Sequence, residues 1–146
     1  MGGIVVGVDR SEHAGDALRF AIEEANHRGC GLTVVEVWAQ PYLVEDVGLD
    51  AASVLDEPTR RRAEEILRTQ VEKALDGAER PASMTVRTER GNPAEVLIRL
   101  GRTADLLVVG ARGHGGFRHL LTGSVATQVV AHSPCPVVVV PTRARG

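Results

Sequence analysis

The residues best equipped for chemistry lie between Gly110 and Ser124. This stretch holds Gly110, Gly113, Gly115, Gly116 and Gly123, the arginines Arg112 and Arg118, and the hydroxyls of Thr122 and Ser124. Glycine lets main-chain amides approach a ligand closely and takes up positive φ at little cost. An apolar run, Leu106 to Val109, precedes the loop, and a helical pattern, Val125 to Ala131, follows it. A helix start offers unpaired N–H groups and the positive end of its dipole. A strand, a glycine loop with two arginines and a helix tip together form an anion cradle. Phosphate is the guest such a cradle fits.

Two familiar phosphate signatures are missing. The pattern G-x-x-x-x-G-K-[ST] does not occur, and the single lysine, Lys73, falls in a helix pattern far from the loop. Positive charge on a phosphate would therefore come from arginine, a metal ion or main-chain amides. The dinucleotide fingerprint is also absent, because the first strand is followed by Asp9-Arg10-Ser11-Glu12. His114 and His119 in the loop lack a third ligand and a firm scaffold, so they read as rim or solvent residues. Thr122 and Ser124 suit helix capping or acceptance of a phosphoryl group.

These residues need a framework, and the periodicity supplies one. Ile4 to Asp9 is an apolar run of strand length. Ser11 reads as the N-cap of a helix carrying Ala14, Ala17, Leu18, Ala21, Ile22 and Ala25, closed by Gly29. Leu32 to Trp38 is a second strand. A long acidic connection with Glu45, Asp46 and Asp50 follows, a candidate lid, and Trp38 and Tyr42 are placed to line a cleft. A helix begins near Asp56 to Pro58, with Ala63, Ile66, Leu67, Val71, Ala74 and Leu75 as its apolar stripe. Arg60, Arg61 and Arg62 belong to its solvated face.

Met84 to Arg90 alternates like a half-exposed strand. Asn92-Pro93-Ala94-Glu95 gives an N-cap, a first-position proline and a capping-box acid. Leu106 to Val109 is the fourth strand, Ser124 to His132 the last helix, and Val137 to Val140 the fifth strand. Alternating strands and helices imply a parallel sheet covered on both faces, in the order 3-2-1-4-5. Continuous valine runs agree with two-sided burial. The chain then reverses direction between strands one and four, and ligands bind outside the carboxyl ends of the strands at such a point. Chemistry and topology choose the same crevice.

The bulk numbers exclude several classes. With 146 residues, a single domain spanning 1–146 is expected. A net charge of −2 and 3% aromatic residues argue against a nucleic-acid partner. No apolar run is long enough for a membrane span, and no signal segment opens the chain, so a cytoplasmic location follows. Cys30 and Cys135 both precede strands, three spacings apart in the sheet, too far for a disulfide; both read as buried small residues.

The spacing Gly110-x2-Gly113-x9-Gly123-Ser124 resembles the ATP-binding branch of the universal stress protein family. The resemblance runs through Ile4-Val5-Val6-Gly7-Val8-Asp9-Arg10-Ser11, Gly91-Asn92-Pro93-Ala94, Ala104 to Gly110, and Ser133-Pro134-Cys135-Pro136 with the valines after it. It implies a Rossmann-like fold of the adenine nucleotide alpha hydrolase kind. It implies ATP or a related adenine nucleotide, with Mg²⁺ accompanying ATP. Gly110, Gly113, Gly123 and Ser124 would hold phosphates and ribose, with a further amide from Val125. Val8 and Asp9 would sit near the adenosine, with Asp9 near any metal, and Val37 would meet adenine through its main chain. In the same loop Arg112 and Arg118 are candidate phosphate contacts, with solvated loop charges as the alternative.

Two positions depart from the family pattern: Arg10, where glycine is frequent, alters the rim, and Glu36, where histidine is common, inherits no role. The resemblance also implies a homodimer through the edge strand Val137 to Val140. An apolar edge is a pairing surface, and Pro136 and Pro141 limit its ladder. The leading expectation is a regulatory nucleotide-binding protein. A slow ATPase or self-phosphorylating enzyme, and a ligand-free dimeric interaction protein, are the alternatives.

Overall fold

The computed structural model describes residues 2–11, 13–38, 57–111 and 123–142. The strands are β1 (Ile4–Val8), β2 (Leu32–Trp38), β3 (Met84–Arg90), β4 (Leu106–Gly110) and β5 (Val137–Val140). The helices are α1 (Ala14–Arg28), α2 (Glu57–Leu75), α3 (Pro93–Gly101) and α4 (Ser124–His132). All pairings are parallel, and the five strands lie in the order β3-β2-β1-β4-β5. The expected fold class is observed.

Period-two alternation sends each strand's side chains to two cores. Ile4, Val6, Val8, Leu32, Val34 and Val108 meet Leu18 and Ile22 of α1 and Leu67 and Val71 of α2. Val5, Val35, Leu107 and Val109 meet Leu97 of α3 and Ala126 and Val129 of α4. Each such side chain contributes about 1.5–3 kcal/mol on full burial. Gly7 permits the close seat of α3, since a Cβ there would lie 2.7 Å from Leu97 Cδ1.

The helix signals fare unevenly. Gly29 closes α1 in the left-handed region at φ 63°, its N–H reaching the carbonyls of Ala25 and Asn26. The Asn92 side chain caps α3, accepting from the Glu95 amide at 3.1 Å. Ser11 does not cap α1. The cap position is His13, and no side chain bonds there. Asp9 is the reason: its carboxylate accepts the Ser11 amide at 2.8 Å, a local turn that ties Ser11 back toward β1. β1 stops at Val8, one residue before the expected end, and β4 runs on to Gly110. Ile66 and both free cysteines are half-buried rather than buried.

The two sheet edges differ. β3 carries Arg87 and Glu89, an ion pair at 2.9 Å, and Glu89 also holds Arg99 of α3 at 2.6 Å. Charges of this kind suit an open edge. β5 offers only half-buried valines.

Candidate functional site

β1 and β4 are neighbours, yet their following helices cover opposite faces of the sheet. In sheets of this kind ligands bind outside the carboxyl ends of two such strands. Val8, buried at the end of β1, and Val109 of β4 lie beneath that place. On one side is the turn of Asp9, Arg10 and Ser11. The Asp9 carbonyl there accepts the Gln70 side-chain amide of α2 at 3.3 Å.

The other side brings the two ends of the glycine loop together. The Ala111 amide bonds the Val140 carbonyl at 2.8 Å, and the Gly123 amide donates to the Ala111 carbonyl. The start of α4 is thereby held at the tip of β4, beside Gly110. Gly123 is the N-cap, with φ −70° and ψ 166°; the Thr127 hydroxyl donates to its carbonyl at 2.9 Å, and among the described residues no side chain accepts from the amides of the helix start. The first-turn amides, Ser124 and Val125 among them, have no acceptor within the helix. Ser124 is exposed and does not cap the helix through its hydroxyl.

Of the residues singled out from the sequence, Val8, Asp9, Gly110, Gly123, Ser124 and Val125 border this place. Val37 stands at its β2 side: the ladder between β1 and β2 ends at the pair Val8 and Glu36, so Val37 has no partner strand on the β1 side. Arg112, Gly113, Arg118, Thr122, His114, His119, Tyr42 and the acidic residues Glu45, Asp46 and Asp50 lie outside the described residues. No group of three metal-ligating side chains occurs among the described residues.

Glu36 was given no role from the sequence, yet it is the buried charged side chain of the described residues, 5% exposed. Neither of its carboxylate oxygens meets hydrogen-bond geometry with a partner, although the Arg10 and Trp38 side chains lie close enough to favour its charged form. Its ionic neighbour is Arg10, whose Nε lies 3.6 Å from Oε2. The Arg10 guanidinium carbon lies 4.8 Å over the Trp38 ring, and the indole N–H is buried without an acceptor. Burial pushes the Glu36 carboxyl above the usual carboxylate range. Arg10 pulls it back, and the charge of Asp9 pushes it further up. The signal in the sequence is an acid at the core-facing phase of an apolar strand, between Val34 and Trp38.

A family model for the universal stress protein family matches residues 1–141. The chain belongs to the universal stress protein family. A universal stress protein of Thermus aquaticus is 34% identical over 142 residues, covering 94% of this chain and 96% of its own length. One from Mycolicibacterium smegmatis is 34% identical over 140 residues, covering 94% of this chain and 45% of its own length. The chain thus spans about half the length of the first curated relatives it matches. Among solved structures, UspA of Lactobacillus plantarum superposes with a TM-score of 0.76 at 23% identity, covering 95% of this chain and 97% of its own. A universal stress protein in complex with cAMP has a TM-score of 0.71 at 25% identity, covering 97% and 98%. Among the described residues no helix is long and apolar enough to cross a membrane.

Proposed function

We propose that this chain binds an adenine nucleotide, ATP or a close relative, in the crevice between β1 and β4, and acts as a regulatory module in the stress response. The observation that carries this reading is the bond between Gly123 and Ala111, which seats the start of α4 at the tip of β4, the strand beside β1. Such a start binds anions. The cAMP complex of a family member supports the choice of an adenine ligand.

In this reading Gly110, Gly113, Gly123, Ser124 and Val125 hold phosphates and ribose, and Arg112 adds charge. Val8 and Asp9 adjoin the adenosine, and the Val37 main chain meets the base. Asp9 is a hard oxygen donor at the crevice lip, the type Mg²⁺ prefers, and acts on a phosphate-bound ion indirectly. The apolar edge β5 pairs two copies into a homodimer, and the protein works in the cytoplasm without nucleic-acid partners. Native mass spectrometry of freshly purified protein tests both parts. The expected spectrum shows a dimer that takes up adenine nucleotide. A monomer, or a protein that accepts no adenine nucleotide on titration, overturns the corresponding part.

A further inference from the structure

The cluster of Arg10, Glu36 and Trp38 is unexplained by the glycine loop and by packing. A buried carboxylate whose ionic partner is a half-exposed arginine at 3.6 Å, outside good hydrogen-bond geometry, is a poor stabilising device. Apolar residues of similar volume serve a core better. Polar groups left unsatisfied inside a consistent fold mark functional positions. The cluster also sits at a defined place. Glu36 is level with Val8, and Trp38 is two residues further on, past the end of the β1 ladder.

We propose that Arg10 is a stacking contact for the base of the bound nucleotide, with Glu36 as the positioning residue that holds it there. This rests on the nucleotide reading above. The guanidinium is planar and presents one side to the indole of Trp38. The Arg10 side chain is 44% exposed, and an aromatic base would stack on the guanidinium face turned away from Trp38. Arginine stacks on aromatic faces in a way that lysine does not.

Distance selects the base over the phosphate. The uncapped amides belong to β4 and α4, whereas Trp38 ends β2, two strand spacings or about 10 Å away. That separation matches the span of an extended nucleotide from phosphate to base. Charge points the same way: Glu36 already balances the guanidinium, which weakens its pull on a distant phosphate and leaves its flat face as the useful surface. Glu36 in turn gains from Arg10 what it lacks elsewhere. The residues beside it, Val8 across the ladder with Asp9 next to it and Thr88 in register on β3, supply no cation.

Calorimetric titration with adenosine and with ATP tests this on wild type, Arg10→Ala, Arg10→Lys and Glu36→Gln. The chain's single tryptophan, Trp38, gives an independent fluorescence signal. Arg10→Ala is expected to weaken adenosine and ATP by the same factor, about tenfold. Arg10→Lys should not restore either, because the plane is lost. Glu36→Gln should weaken both by a smaller common factor, about threefold, and shift the emission of ligand-free Trp38 as Arg10 leaves its ring. ATP weakened with adenosine unchanged would make Arg10 a phosphate contact and overturn the proposal. Unchanged affinities in the Arg10 variants overturn it too, and unchanged affinity and emission in Glu36→Gln remove the positioning role. If wild type binds neither compound, the nucleotide reading itself fails, and this inference with it.

Discussion

The two ends of the sheet are built on different terms. At the amino end, polar groups are paired across the fold. The Gly3 amide bonds the Asp105 carboxylate at 2.7 Å, and the Asp105 amide returns to the Gly3 carbonyl at 2.8 Å. Ile4 and Leu32 donate to the carbonyls of Gly31 and Ser83, each at 2.9 Å. The Cys135 amide donates to the Ser133 hydroxyl at 3.2 Å. At the carboxyl end, buried polar atoms lack hydrogen bonds: the Ser11 hydroxyl, both oxygens of Glu36, the Trp38 indole nitrogen, one Arg90 nitrogen and the Thr142 hydroxyl. The same strands bear both ends, so strand propensity does not explain the contrast. One end closes the fold, and the other is where the proposed nucleotide would meet unpartnered donors and acceptors. Groups of the second kind cost stability until a ligand meets them.

Substitutions at the two ends should therefore separate affinity from stability. The largest effect is expected at the glycine loop. Gly113→Val and Gly123→Val place a side chain where main chain meets phosphate, and ATP affinity should fall about 100-fold, ~2.7 kcal/mol. Gly123 has φ −70°, which any residue adopts, so its variant should melt close to wild type. If both variants fold and hold ATP as tightly as wild type, the carboxyl end is not the binding end.

Asp105→Ala should do the reverse. It removes the charged acceptor of the Gly3 amide, at a cost of about 2 kcal/mol, seen as a lower midpoint in urea. ATP affinity should be unchanged. A large affinity loss with intact stability would erase the contrast between the ends.

The smallest effect belongs to Glu36→Gln, and its sign is informative. Burial raises the Glu36 carboxyl in the folded state, so the native protein binds this proton more readily than the unfolded chain. Stability attributable to Glu36 is then highest at low pH. It falls as pH rises from the ordinary carboxylate range through the raised value. The Gln variant lacks this loss. Thermal melts should show it more stable than wild type above that window, with the gap closing at acid pH. A variant less stable than wild type at pH 8 would show that Arg10 fully compensates the buried charge.

Much of this was readable in the chain because the signals are local. Valine runs fixed the strands, Gly29 and Asn92 marked helix boundaries through their own geometry, and alternation assigned β3 to an edge. The order of strands followed from connection rules, and the proposed binding place rests on that order. The failures were non-local or competitive. Ser11 has a good capping side chain, but Asp9 two residues earlier takes its amide. Glu36 looks like any acid in a strand until Arg10 and Trp38 are brought to it from separate ends of β1 and β2. Its core-facing phase was the available clue, and its chemistry depends on neighbours that spacing alone does not reveal.

Amide chemical shifts on titration with ATP test the central claim most directly, since ¹H–¹⁵N spectra report both ends of the sheet at once. The account predicts large shifts for Gly110, Gly123, Ser124, Val125 and Asp9, with Gly3, Ile4, Leu32 and Asp105 unmoved. Shifts concentrated at the amino end, or a spectrum unaltered at millimolar ATP, would contradict it.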